Sequence, residues 1–399
     1  MPRFRSVSSF LAVGAALLPA QVKITQAPPP PAAAAVPIEP QPLLRLDQPP
    51  AARSGAAEVA IRLGLEWLLK HQDQDGRWNS DEFMAHDGNK PTDGAGKSGY
   101  DVALTGLALW TLAREGPATG QEPRRLALLR GASWLAKQQD EANGRLGTAT
   151  IHDFVYGHAM GTLGLLATAA ATGDANSGEV AQRAIGYLER HRNPYGVWRY
   201  QPRDNDNDSS VTTWALCAYL AAHELRLEVN AAAFPMVSAW FQQVTDADGR
   251  TGYAHAGEGS SRLADTVERF PPTAGEAMTA AALLCRTHLG HTVANAPILA
   301  KSVALVLAKP PQWDPEHGAV DLCYWFFASE GLRTADPAAH AAWTAALVPA
   351  LTTHQRQDTT FAGSWDPIDP WGENGGRVYA TALAVLALQA TAQHPPAKK

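Results

Sequence analysis

The feature that most limits how this chain can fold is a unit first seen whole between Trp67 and Ala113. It starts as Trp67-Leu68-Leu69-Lys70-His71-Gln72-Asp73-Gln74-Asp75-Gly76-Arg77-Trp78 and continues in an apolar stretch from Tyr100 to Ala113. Trp67 and Leu68 fall late on an amphipathic helix begun near Glu58, Asp75-Gly76 stops that helix, and Trp78 brings a ring back over its end. The second stretch carries Val102, Leu104, Leu107, Leu109, Trp110 and Leu112 and has almost no polar face, so it requires burial on nearly all sides. The unit is an outer helix, a turn and an inner helix.

It recurs. Trp134-Leu135 leads through Gln139 and Gly144 to Phe154–Ala171; Tyr187-Leu188 leads through Gly196-Val197-Trp198 to Ser210–Ala222; and Trp240-Phe241 leads through Asp248-Gly249 to Thr273–Thr287. A fifth copy is degenerate over Val303–Trp313 and clear over Val320–Gly331, and the sixth runs from Ala345 through Gly363-Ser364-Trp365 to Val378–Ala390. Inner helices therefore begin near residues 100, 155, 210, 274, 321 and 378, a period of about 56 residues. Six such pairs close into a ring, so the expected fold is all-α, an α6/α6 toroid with a disordered N-terminal arm. Trp67, Trp78, Trp134, Trp198 and Trp365 recur at equivalent positions and are read as staples between outer helices and turns. Trp110, Trp214 and Trp325 lie on inner helices and face either the wall or the lumen.

The aromatic-Leu…Gln…Gly-x-Trp element resembles the repeats of squalene and terpenoid cyclases and of protein prenyltransferase β-subunits. Gly196-Val197-Trp198-Arg199-Tyr200, Asp321-Leu322-Cys323-Tyr324-Trp325 and Gly376-Arg377-Val378-Tyr379-Ala380-Thr381 are similar to segments of exported bacterial prenyltransferase or squalene-oxidase repeat proteins. The resemblance spans roughly residues 57 to 391. It implies an α/α toroid with inner helices around a central cavity and carries no settled activity.

Composition fits one large domain. The chain has 399 residues, 45% hydrophobic and 18% charged, with a formal net charge of −6. No basic cluster exceeds Arg124-Arg125, which argues against a nucleic-acid partner. Arg3 and Arg5 ahead of the apolar run Phe10–Leu18 read as a secretory signal, and Pro28–Pro50 as a Pro/Ala-rich spacer. The expected divisions are 1–53 for these segments, 54–394 for the toroid and 395–399 for a tail, with export to the periplasm or cell envelope. Phe154–Gly173 is apolar enough to mimic a membrane span, but its Gly, Ala and Thr content suits close packing inside a ring, so no transmembrane span is expected in the mature chain. Cys217, Cys285 and Cys323 read as small core hydrophobes.

Parallel inner helices place all their N-termini at one mouth of the cavity. There the sequence gathers Tyr100-Asp101, His152-Asp153, Tyr156, His158, Asp208-Ser209-Ser210, Glu276, Asp321, Tyr324, Arg377 and Tyr379. Each carboxylate taken alone is equally a helix cap; together, above an aromatic interior holding Trp214, they form a candidate ligand site. Asp206-Asn207-Asp208-Ser209 stands where related cyclases carry Asp-x-Asp-Asp, which makes Asp208 a candidate acid for protonating an alkene, although Asp204–Asp208 is also an ordinary polar loop ending in a cap. Asp321-x-Cys323-Tyr324 matches the Asp-x-Cys zinc element of protein prenyltransferases. Ala380 follows Tyr379 where that family has its histidine, so no metal or other cofactor is expected and Asp321 is kept as a second catalytic candidate. Ala274-Gly275-Glu276-Ala277 resembles a complement-type thioester element with both reactive residues replaced by alanine. His158, Tyr324, Tyr379 and Arg377 are available for a polysaccharide-lyase role. The first functional expectation is a toroid that holds an apolar, isoprenoid-like small molecule or a peptide; an isoprenoid cyclase or prenyl-transfer enzyme comes second and a lyase third. Arg377 is expected beside Asp321 and Asp208 at the mouth, and the opposite end of the ring is expected to be featureless.

Overall fold

A computed structural model describes residues 38–45 and 53–392. Among the described residues it contains twelve α-helices and no strand. The outer helices are α1 (Gly55–Lys70), α3 (Glu122–Lys137), α5 (Ala175–His191), α7 (Ala233–Gln243), α9 (Ile298–Leu307) and α11 (Pro337–Thr352). The inner helices are α2 (Asp101–Ala113), α4 (Phe154–Thr172), α6 (Ser209–Glu224), α8 (Ala277–His288), α10 (Leu322–Ala335) and α12 (Gly372–Gln389). Each inner helix packs on the two inner helices beside it, and α12 returns to α2, so the ring closes as the α6/α6 toroid that the repeat requires. The expected signal, disordered arm and tail at 395–399 lie outside the described residues, apart from segment 38–45 and the last residues before α1.

The repeat motif explains how the pairs are joined. In the first, third and sixth repeats an indole closes the turn onto the outer helix: Trp78 Nε1 donates to Leu68 O at 2.8 Å, Trp198 to Leu188 O at 2.8 Å and Trp365 to Leu351 O at 2.9 Å. In the first, second and sixth repeats a glutamine ties the unit to the next. Gln72 Nε2 donates to Gly76 O and across to Ala127 O in α3, and Gln139 to Gly144 O and Val180 O in α5. Gln355 donates to Gly363 O and to Ala60 O in α1, so the last repeat is tied to the first. Gly76 and Gly363 adopt φ of 106° and 97°, and a Cβ on either would overlap the backbone of the adjoining outer helix, so the turn accepts only glycine there.

Inner helices approach closely where small residues face each other. A Cβ on Gly106 of α2 would overlap the Met160 carbonyl of α4, and one on Gly164 would meet Gly106. Helix α4 is long and apolar enough to cross a membrane, and 78% of its apolar window is buried inside the ring. Trp325 points outward to Trp313, with ring centroids 6.1 Å apart, whereas Trp110 and Trp214 point inward.

Segment 38–45, which the sequence assigns to a spacer, packs across the C-terminal ends of the inner helices. Leu43 and Leu44 are buried, and the amides of Leu43, Leu44 and Arg45 all donate to the Glu224 carboxylate at 2.8 to 2.9 Å. The amides of Glu39 and Gln41 add bonds to Leu289 O and His288 O. Three amides on one carboxylate outweigh the tendency of a Pro-rich run to stay solvated.

Candidate functional site

A cavity of about 510 Å³ opens among the inner-helix N-termini. Its walls are mostly apolar, with Ala103, Leu104, Leu107, Met160 and Cys323 between the rings of Tyr100, Tyr156, Tyr200, Trp214, Trp371 and Tyr379. Trp214 of this lining is backed by an aromatic cluster in the core: it stacks on Phe326 at 6.2 Å, and Trp110 meets both edge-on. At the mouth stand Lys97, His152, Asp153 and the loop residues Ser261, Arg262 and Leu263. A narrower annex of about 40 Å³ shares Tyr156, Tyr200, Ser210, Arg262 and Trp371 and adds Tyr253 and Asp321.

Of the residues named from sequence, Tyr100, His152, Asp153, Tyr156, Ser210, Trp214 and Tyr379 line the cavity and Asp321 lines the annex. Asp208 lies just behind the wall, fully buried. Its Oδ1 caps α6 by accepting from Val211 N at 2.7 Å, and its Oδ2 accepts from Tyr253 OH at 3.1 Å. Tyr253 and Tyr200 share a 2.6 Å hydroxyl contact, which carries the chain to the cavity surface. Burial pushes the Asp208 carboxyl up to about 7, against the pull of its cap bond and of Arg199, whose Nε is 3.5 Å away. Cap and acid are thus compatible: the same carboxyl holds α6 and keeps a proton near neutrality.

Other residues expected at the mouth lie elsewhere. His158 is not at the mouth: its Nδ1 accepts from Leu146 N at 2.9 Å and its Nε2 donates to Ala184 O at 3.1 Å. It occupies the latch position that Thr105, Thr212 and Thr381 fill in other repeats, accepting from the turn, and burial drives its pKa down to about 3. Glu276 is turned to Arg250, 2.9 Å away, and to the Thr279 hydroxyl. Tyr324 donates to Val306 O and Lys309 O between α9 and α10. Arg377 is buried but does not meet Asp321 or Asp208; its guanidinium bonds Asp93 Oδ1 at 2.7 Å, Asp366 Oδ1 at 2.7 Å and Ser364 Oγ at 3.1 Å. The cause is Gly376, whose φ of 65° and ψ of −163° break α12 and send Arg377 sideways. The expected fixed cation is instead Arg262, whose Nη2 lies 2.8 Å from Asp321 Oδ2. Cys323 is a partly exposed wall residue rather than core. The four residues of the lyase reading are consequently not gathered.

Nor is the opposite end featureless. Glu330 of α10 is fully buried there between Arg114 and Arg333, which hold its carboxyl well below the usual range despite burial.

Sequence reasoning missed Arg262, Tyr200, Tyr253 and Asp369. Asp369 is 2% exposed and accepts from Tyr379 OH at 3.1 Å, from Leu322 N at 3.2 Å and from Trp371 N at 3.1 Å. Burial, reinforced by Asp321, pushes it up to about 7. A usable signal existed for Arg262: residues 252–276 form a connection far longer than loops in compact domains, which marks a functional segment. Among the described residues no group of three His, Cys, Asp or Glu is placed to hold a metal ion, and Asp321 is engaged by Arg262.

No known family model matches the chain, and no curated protein matches it in sequence. Solved structures do. The type II terpene cyclase MstE from Scytonema superposes with a TM-score of 0.54 at 16% identity, covering 86% of this chain and 98% of that one. A variant of the same enzyme in complex with geranylgeranyl dihydroxybenzoate gives 0.54 at 17% identity over 84% of this chain and 97% of that one. An α-1,6-mannanase, GH76A of Salegentibacter sp. HEL1_6, in complex with α-1,6-mannotetrose, gives 0.54 at 13% identity over 85% and 99%.

The fold is that of the α/α toroids.

It is shared with a terpene cyclase and with a glycoside hydrolase, and at these identities the likeness carries the toroid alone.

Proposed function

We propose that this toroid binds an apolar, isoprenoid-like small molecule in its central cavity. The observation that carries the reading is the cavity itself: about 510 Å³, within the range of small-molecule sites, apolar along its walls and lined by Trp214, which Phe326 and Trp110 back from the core. A peptide of any length would have to expose backbone amides to that wall with few partners for them, which favours the small molecule. The terpene cyclase with the same fold, in complex with geranylgeranyl dihydroxybenzoate, supports an extended hydrocarbon as occupant. Titration with a neutral isoprenoid alcohol, followed by fluorescence of Trp214 and Trp371, tests this. Binding is expected, and Met160→Trp, which fills the cavity, is expected to abolish it; saturation unchanged by that substitution removes the cavity as the site.

A second reading, acid-catalysed isoprenoid chemistry, is favoured by Asp208. A carboxyl that keeps its proton near neutrality, joined to the cavity surface through Tyr253 and Tyr200, is equipped as a general acid. Incubation with squalene and isoprenoid diphosphates, read by mass spectrometry, separates binding from turnover. Export is part of the same proposal and rests on Arg3, Arg5 and the run Phe10–Leu18; an N-terminus still at Met1 in protein recovered from the cell envelope would count against it.

A further inference from the structure

Asp208 is not the only buried carboxyl behind a phenol. Asp369, in the connection between α11 and α12, is joined to the main cavity by one side chain, Tyr379, whose ring lines the wall and whose hydroxyl sits 3.1 Å from Asp369 Oδ2. The hydrogen-bonded route from Asp208 to that cavity runs through two phenols in series. Backbone amides of Leu322 and Trp371 fix the Asp369 carboxyl, and Trp371 itself lines the wall beside Tyr379. We propose that Asp369 and Tyr379 form a proton-donating pair in the cavity wall, which delivers a proton to an alkene of the bound ligand and then holds the resulting cation. The proposal rests on the reading that an unsaturated apolar molecule occupies the cavity.

The step balances without a co-reactant. The alkene electron pair takes the Tyr379 hydroxyl proton, forming a C–H bond and leaving a cation on the adjacent carbon. With Asp369 protonated the bond between them reverses, Asp369 donating to the Tyr379 oxygen; as the Tyr379 O–H bond breaks, that oxygen takes the Asp369 proton, and the carboxylate remains as counterion. Loss of a proton from a carbon beside the cation returns it by the same path, so the product is an isomer of the ligand. Asp369 carries the needed proton near pH 7 because it is buried and faces the Asp321 carboxylate. The other groups around it keep that arrangement. Arg262 from the mouth loop is bound to Asp321, the Cys323 thiol is pushed up by burial, and Asp366 on the same connection is taken by Arg356 and Arg377.

The test uses the full chain and two probes of equal chain length, a neutral isoprenoid alcohol and its tertiary-amine analogue, a cation mimic. Dissociation constants are measured from about pH 5 to about pH 9. The amine is expected to bind about tenfold more tightly than the alcohol above about pH 7, where Asp369 is ionised, and to lose that advantage about two units lower. Asp369→Asn is expected to erase the pH-dependent preference while alcohol binding persists, and Tyr379→Phe to weaken it, which guards against a misfolded first variant. Asp208→Asn is measured alongside: a preference that survives Asp369→Asn and disappears there overturns the proposal. Alcohol binding with no preference for the amine at any pH overturns it while leaving the cavity reading intact. Failure of both probes to bind removes both.

Discussion

Glu330 tests the residue scale most directly, because two arginines depend on it. Removing its charge in Glu330→Gln leaves Arg114 and Arg333 buried without a counterion, so a loss of roughly 3 to 5 kcal/mol is expected in denaturant unfolding. The pair also sets an acid limit. Because the folded-state pKa is depressed, its stabilisation is complete above the unfolded value of about 4.3 and drains away as pH falls below it. Asp208 and Asp369 act with the opposite sign. Their folded pKa values are raised, so what they contribute is present below about 3.9 and lost as pH rises to about 7. Asp208→Asn, which keeps an N-cap acceptor, is expected to flatten the decline of thermal midpoint over that window; an unchanged slope would show that Asp208 ionises freely in the folded protein. None of these values could be read from sequence. Asp208 was visible as a candidate because it precedes an inner helix, but Asp369 sits in a connection, and only the closing of the ring buries it against Tyr379 and Asp321.

At the scale of elements, the motif acts as a two-way connector: the indole seals a turn to its own outer helix and the glutamine reaches the next. Gln355→Ala strands Ala60 O and Gly363 O and unfastens the last repeat from the first, and about 1 to 3 kcal/mol of destabilisation is expected. Gln72→Ala breaks an internal seam of the same kind. Hydrogen exchange should show α1 and α11 loosening in the first variant and α1 and α3 in the second; identical patterns would deny that the seams are local. The helix pairs were legible because periodicity, glycine turns and tryptophans all repeat. His158 was misread for the same reason: its neighbours in the repeat are threonines, and a histidine latch looks like a functional histidine until the turn amide that it serves is visible. Arg377 was misplaced by a glycine kink that leaves no trace in hydrophobic pattern.

For the whole molecule, the two ends of the ring differ in kind. The inner-helix N-termini surround the cavity, while the C-terminal ends are crossed by residues 38–45 and cemented by the Glu330 cluster. A chain truncated before α1 is expected to melt several degrees lower, since it exposes Leu43 and Leu44 and leaves Glu224 without three amide donors. An unchanged midpoint would reduce the segment to a passive tail. Nothing in Pro28–Pro50 announces this docking, because the carboxylate that captures it belongs to the end of α6, far away in sequence. The same crossing gives the toroid a direction in space. Residues 38–45 cross the inner-helix C-terminal ends, whereas the cavity lies among the N-termini. The segment therefore occupies the face away from the cavity, and a molecule entering the cavity passes none of its residues.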